Sequence, residues 1–220
     1  MKNEHWNYSP FRGDAIDQFA YDISLNHAQN PDRKYVVRWG QGSNQLTRAK
    51  VTRNEFNLLN QFGISVVPTD FVITEKGLTM VSNFVDGLGV DTASQKLVDE
   101  LVAGLMGYFE YKFENRSEPF LWDIDRSEQY VYGSVKGGKN KIYLVDVDAR
   151  YYDPETKRNP WDVGSRDDSL CEVFYKIRKH FVMGTPSTYR KDIFNKTVLR
   201  LSGKAEFVEH SQEFAWLICS

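Results

Sequence analysis

Five acids between residues 123 and 148 have the types and spacing that could do chemistry. Asp123, Asp125 and Glu128 crowd one short stretch, and Asp146 and Asp148 close another. Between them lie an aromatic run at 130–132, a Gly137-Gly138 turn and the apolar run Ile142-Tyr-Leu-Val145. Alternating, β-branched segments around a glycine turn predict a hairpin. Such a hairpin carries the Asp123 loop and Asp146 to the same end of the ribbon. Carboxylates gathered beside apolar strands repel one another and lose hydration unless a cation or a proton stands between them. Each acid alone is equally at home as an ordinary turn or strand-end residue. Only the ordered set, with matching parts upstream, points to a site.

The elements that must position these acids belong to a chain of 220 residues, long enough for one large domain or two packed lobes with a proper core. A net charge of −2 and a pI near 6.1 argue against a protein that coats nucleic acid. Cys171 and Cys219 show no metal or disulfide spacing, and the four histidines form no ligand cluster. A reducing cytoplasm is the expected setting. The polar start, Met-Lys-Asn-Glu-His-Trp, predicts no signal peptide, and no apolar run approaches the ~20 residues that cross a bilayer.

In chain order, strands are expected at 19–23 and 34–39. A helix follows from Thr52, capped by Thr52 and Glu55 and ended by Gly63. Further strands are expected at 66–73 and 78–84, giving ββαββ, with Gly87 to Gly89 as a hinge. Leu97, Leu101, Leu105 and Phe109 recur every four residues and predict a helix over 96–113 with a broad buried face. Residues 153–168 read as irregular. A helix is expected from Asp168 to His180, with weaker helical signals towards Ser202. The basic residues from Lys176 to Lys204 are expected to form a solvated face.

Set in order, these pieces resemble the protein-kinase-like fold, in particular its aminoglycoside and choline phosphotransferase branch, over roughly residues 9–180. Val36-Val-Arg38 is similar to the strand ending in a phosphate-pairing cation, and Glu55 to the helix glutamate that pairs with it. Met80 to Gly87 resembles the fifth strand and hinge, where Asn83 and Val85 would receive adenine through backbone groups. Leu121 to Glu128 stands in the place of the catalytic loop, with Asp123 as its aspartate. Leu144-Val-Asp146 resembles the strand that ends in the metal-binding aspartate. Asp168 is similar to the aspartate that steadies the catalytic loop from below. Gly13 stands in the glycine loop.

The resemblance implies an α+β, two-lobed fold, with an antiparallel-sheet N-lobe over 1–87 and a mainly helical C-lobe over 88–220. It implies an ATP-dependent phosphotransferase, using Mg²⁺ or Mn²⁺ and acting on a hydroxyl of a small molecule or a protein. Phosphoryl transfer asks mainly for positioning and charge neutralisation. Arg38 would hold the α- and β-phosphates, and Asp123 would accept the hydroxyl proton. Asp146, with Glu128 or Asp148, would hold the metal.

The chain also departs from that pattern. Leu121 replaces the loop histidine, Glu128 replaces the usual asparagine, and Ala15 and Gln18 stand where glycines would follow Gly13. These departures favour a rival reading, a catalytically impaired pseudokinase that serves as a binding module. A third, nucleotidyl transfer, would attach AMP rather than phosphate to a product.

Overall fold

The computed structural model describes residues 6–10, 22–27, 30–40, 45–74, 77–145, 151–152 and 166–203. The chain is α+β. Strands β1 (Trp6–Pro10), β2 (Asp22–His27) and β3 (Asn30–Gly40) precede α1 (Gln45–Gln61). Strands β4 (Ser65–Val66), β5 (Thr69–Thr74), β6 (Gly77–Asn83) and β7 (Asp86–Gly89) then lead to α2 (Gln95–Glu114). After them come β8 (Phe120–Leu121), β9 (Tyr130–Ser134), β10 (Lys141–Leu144), β11 (Tyr151–Tyr152), α3 (Arg166–Ile177) and α4 (Thr188–Leu201). One sheet has the order β1-β2-β3-β6-β5 and is antiparallel throughout. A second has the order β4-β10-β9-β7, with β4 parallel to β10, and β8 pairs with β11.

Helix α1 begins at Gln45, not at Thr52. The buried stripe of Ala49, Thr52, Phe56 and Leu59 starts well before Thr52, and Ala49 packs with Met80 of the first sheet. Thr52 and Glu55 are therefore buried mid-helix residues rather than a capping box. The C-terminus of α1 is as expected. Gly63 takes φ +82°, its N–H donates to the Asn60 carbonyl, and the Ile64 N–H reaches back to the Leu59 carbonyl.

The strand expected over 66–73 is two strands. Pro68 has no N–H to offer a ladder, and the chain changes sheets there. Val67 N–H donates to the Leu144 carbonyl before Pro68, and β5 joins β6 after it. The stretch expected as a hinge, Gly87 to Gly89, lies in strand β7, which straddles the boundary expected at residue 87. Gly87 sits opposite Gly133 of β9. A Cβ on either glycine would strike the backbone of the facing strand, so these glycines permit a close approach rather than a pivot.

The helical portion meets the expectation more closely, with α2 at Gln95–Glu114 and α3 running on through a π-helical turn at Arg178–Val182. One core joins Phe56, Leu59 and Ile64 to Leu101, Leu105 and Phe109 of α2 and to Phe174 and Phe194 of α3 and α4. The Phe174 and Phe194 rings stack with centroids 4.8 Å apart. The basic face from Lys176 onward is only partly solvated. Arg190 Nε donates to Asp99 Oδ1 at 2.6 Å with 12% of the Arg190 side chain exposed, joining the start of α4 to α2. Among the described residues no helix is long and apolar enough to cross a membrane.

Gly104 of α2 sits under the end of α1. A Cβ there would lie 2.5 Å from the Phe62 carbonyl oxygen and 3.1 Å from Ile64 Cγ1. Gly104→Ala must therefore push a backbone turn away, and urea unfolding is expected to show a loss of about 1–3 kcal/mol.

Candidate functional site

Strand β8 delivers the chain to the acidic loop, and both its residues are fully buried. Its place is fixed from beneath by α1 and α2. The Leu121 N–H donates to Tyr108 Oη at 3.0 Å, and that hydroxyl donates to Glu55 Oε2 at 2.6 Å. The other Glu55 oxygen accepts from Lys112 Nζ at 2.8 Å, and Lys112 also reaches Glu118 Oε2 at 3.2 Å. Lys112 has no exposed surface, and Glu55 is buried as well. Burial pushes the Glu55 carboxyl above its ordinary range, opposed by the Lys112 ammonium and by the hydrogen bonds from Lys112 and Tyr108.

Glu55 was expected to partner Arg38. Among the described side chains, Lys112 is the cation on its carboxylate and Tyr108 its hydroxyl donor, while the Arg38 side chain lies outside the described set. Two of the four α2 residues 108, 109, 112 and 113 are polar on a buried face, and the internal carboxylate of Glu55 satisfies both.

Beyond β8, Ile124 is buried and its carbonyl accepts from Tyr130 Oη at 2.8 Å. Burial raises that phenol well above its ordinary range. The loop closes through the Arg126 N–H, which donates to Gln129 Oε1 at 2.9 Å. Val145 N–H then donates to the Gln129 carbonyl at 2.8 Å, and Leu144 pairs with Tyr130. The end of β10 is thus seated against the end of the loop, as the hairpin reading requires.

Within this frame Asp123 is one-fifth exposed, and Arg126 Nη2 lies 2.8 Å from its Oδ1. Glu128 is exposed. Asp125 is buried, with Lys176 Nζ 3.7 Å and Arg126 Nε 3.9 Å from its carboxylate. Burial raises the Asp125 carboxyl, opposed chiefly by the charge of Lys176 and further by Arg126 and His180.

Native Asp125 therefore holds its proton more tightly than the unfolded chain does. Its contribution to stability is complete below its ordinary value of 3.8 and is lost as pH rises through the higher folded value. Asp125→Asn abolishes that dependence. Its melting temperature relative to the parent is expected to be more favourable at pH 7 than at pH 4. A difference independent of pH would contradict the assignment.

The remaining expected residues divide plainly. Arg38 lies in β3, opposite Asp22 and Met80, and its side chain is outside the described set. Asn83 ends β6, and both its N–H and its Nδ2 donate to the Pro68 carbonyl, at 2.9 and 3.2 Å. The Asn83 N–H is therefore already taken within the sheet, while its Oδ1 is buried with no hydrogen-bond partner among the described residues. Val85 is buried. Gly13, Asp146 and Asp148 lie outside the described residues, as does the side chain of Asp168.

Of the described site residues, Asp123 and Glu128 lie on the one loop whose end is seated against the strand leading to Asp146. Among the described residues, no three His, Cys, Asp or Glu side chains are grouped to hold a metal ion. Arg126, Lys176, Tyr108 and Lys112 escaped the sequence reading, because charge in a loop or on a helix reads first as solvated. No protein-family model matches the chain, and no curated protein matches it.

Proposed function

We propose that the chain is an ATP-dependent phosphotransferase of a two-lobed, protein-kinase-like fold, moving the γ-phosphate to a hydroxyl of a small molecule or a protein. The observation that carries this reading is the hydrogen bond from Val145 N–H to the Gln129 carbonyl. It sets the loop of Asp123 against Val145, the residue that follows β10 and precedes Asp146. The order β1-β2-β3-β6-β5, with α1 between β3 and β5, supports it further.

In this reading the acceptor hydroxyl donates to Asp123 Oδ. Its oxygen bonds to the γ-phosphorus as the bond to the ADP oxygen breaks, and Asp123 takes the proton late. Arg38 would hold the α- and β-phosphates, Gly13 would belong to the loop over them, and the Asn83–Val85 segment would border adenine. Asp146, with Glu128 or Asp148, would hold Mg²⁺ or Mn²⁺, which neutralises charge on the phosphates.

Incubation with γ-labelled ATP and either metal tests the reading. Label is expected on a product or as free phosphate. In a parallel incubation with α-labelled ATP, label on a product would mean nucleotidyl transfer instead.

A second reading, a pseudokinase that serves as a binding module, is favoured by Glu55. Its two oxygens accept from Tyr108 and Lys112, buried partners that give it a structural role in the core. No release of label with either metal, in a protein that still binds nucleotide, would select it.

A further inference from the structure

The loop that carries Asp123 is held from beneath by Tyr108 and Tyr130, but its outer flank meets a different element. Lys176, near the C-terminus of α3, sends its ammonium over the Trp122 ring, 5.7 Å from the centroid. The same nitrogen stands 3.7 Å from Asp125 Oδ2 and 2.8 Å from Glu172 Oε1, one turn back on its own helix. It therefore touches the residue before Asp123 and the second residue after it.

Glu172 fixes the direction of the Lys176 side chain, because an i,i+4 pair of this order is the favourable one on a helix. Asp125 gives the ammonium a reason to stay. That carboxylate is almost wholly buried and has only Lys176 and Arg126 as ion-pair partners among the described residues. Trp122 adds a cation–π contact that an aliphatic replacement cannot reproduce.

From this geometry we infer that Lys176 is a positioning residue, clamping Trp122 and Asp125 so that the Asp123 carboxylate between them keeps its working direction. This rests on the reading of Asp123 as the group that receives the acceptor proton. It adds a support for the loop near the end of α3, beside the one the kinase-like reading gives to Asp168 near the start. The amine touches no reacting atom, so its loss should act on the rate and leave nucleotide affinity alone. A displacement of about 1 Å at a reacting group can cost on the order of 10²-fold in rate.

The test compares Lys176→Met, Lys176→Arg and Asp123→Asn in metal-dependent ATP turnover, together with amide hydrogen exchange over residues 122–126. Lys176→Met is expected to lower kcat by about tenfold to a hundredfold with KM for ATP within about twofold of the parent. Lys176→Arg, which keeps the cation over the ring and beside Asp125, is expected to restore most of kcat. Exchange should quicken over 122–126 in the Met variant and nowhere in the α2 core.

If Asp123→Asn abolishes turnover while Lys176→Met leaves kcat and exchange unchanged, the clamp is overturned and the base reading stands. If Asp123→Asn leaves turnover unchanged, the base reading fails and the positioning role fails with it. A Met variant that loses kcat and is not rescued by Arg also overturns the clamp, because a cation at that place would not be what matters.

Discussion

Lys112→Met is expected to lower the free energy of unfolding by about 3–5 kcal/mol, because it strands the buried Glu55 carboxylate without its cation. Lys112 is wholly inaccessible, and among the described side chains its ammonium is the cation that donates to that carboxylate. Methionine fills a similar volume, so the loss reads the charge rather than a cavity. Glu55→Gln combined with Lys112→Met is expected to recover a substantial part, since glutamine keeps an acceptor for the Tyr108 hydroxyl and brings no charge into the core. Denaturant unfolding of the two variants beside the parent measures both effects. A loss below about 1 kcal/mol for Lys112→Met would mean that the ion pair is hydrated or dispensable.

Asp123→Asn is expected to reduce phosphoryl transfer by about 10²–10⁴-fold, the range a positioned acid–base group contributes. The amide still accepts a hydrogen bond but cannot take the proton. Stability should change little. Asp123 is partly exposed, and its ion pair with the half-exposed Arg126 is of the kind worth at most about 1 kcal/mol. A fall in kcat with an unchanged melting curve separates a chemical role from a structural one. Single-turnover kinetics at saturating ATP and metal makes the comparison. An equal rate for the Asn variant would remove Asp123 from the chemistry and direct attention to the other acids of the loop.

Periodicity made the helices legible. The four-residue recurrence from Leu97 to Phe109 gives α2, and Gly63 gives the end of α1. The hairpin of β9 and β10 was legible from its turn. Lys136 and Gly137 both take positive φ, and Gly138 N–H closes back on the Val135 carbonyl. What the sequence concealed is tertiary. The Thr52-to-Glu55 pattern satisfies the rule for a cap, yet the buried stripe extends backward to Ala49 and overrides it. Pro68 divides a run that alternation alone would leave whole. Gly87 and Gly89 read as freedom, whereas the Gly87 position is dictated by a strand that comes within backbone contact at Gly133.

At the site, the loop and its hairpin were readable because they are contiguous in sequence. Lys112, Tyr108 and Lys176 were not, because each meets its partner across roughly fifty residues or from a separate helix. A charged side chain reads as solvated until a buried carboxylate is known to face it. The need for a cation on Glu55 was visible in the residue type, but that Lys112 supplies one depended on how α1 packs on α2.

The most direct measurement of the central claim is thermal melting of the parent and of Asp146→Ala, each with ATP and Mn²⁺ together and separately. The account predicts a rise in melting temperature for the parent that needs both additives, and its loss in Asp146→Ala while the melting temperature without additives is retained. An equal rise in the two proteins, or none in the parent at millimolar ATP and Mn²⁺, would contradict it.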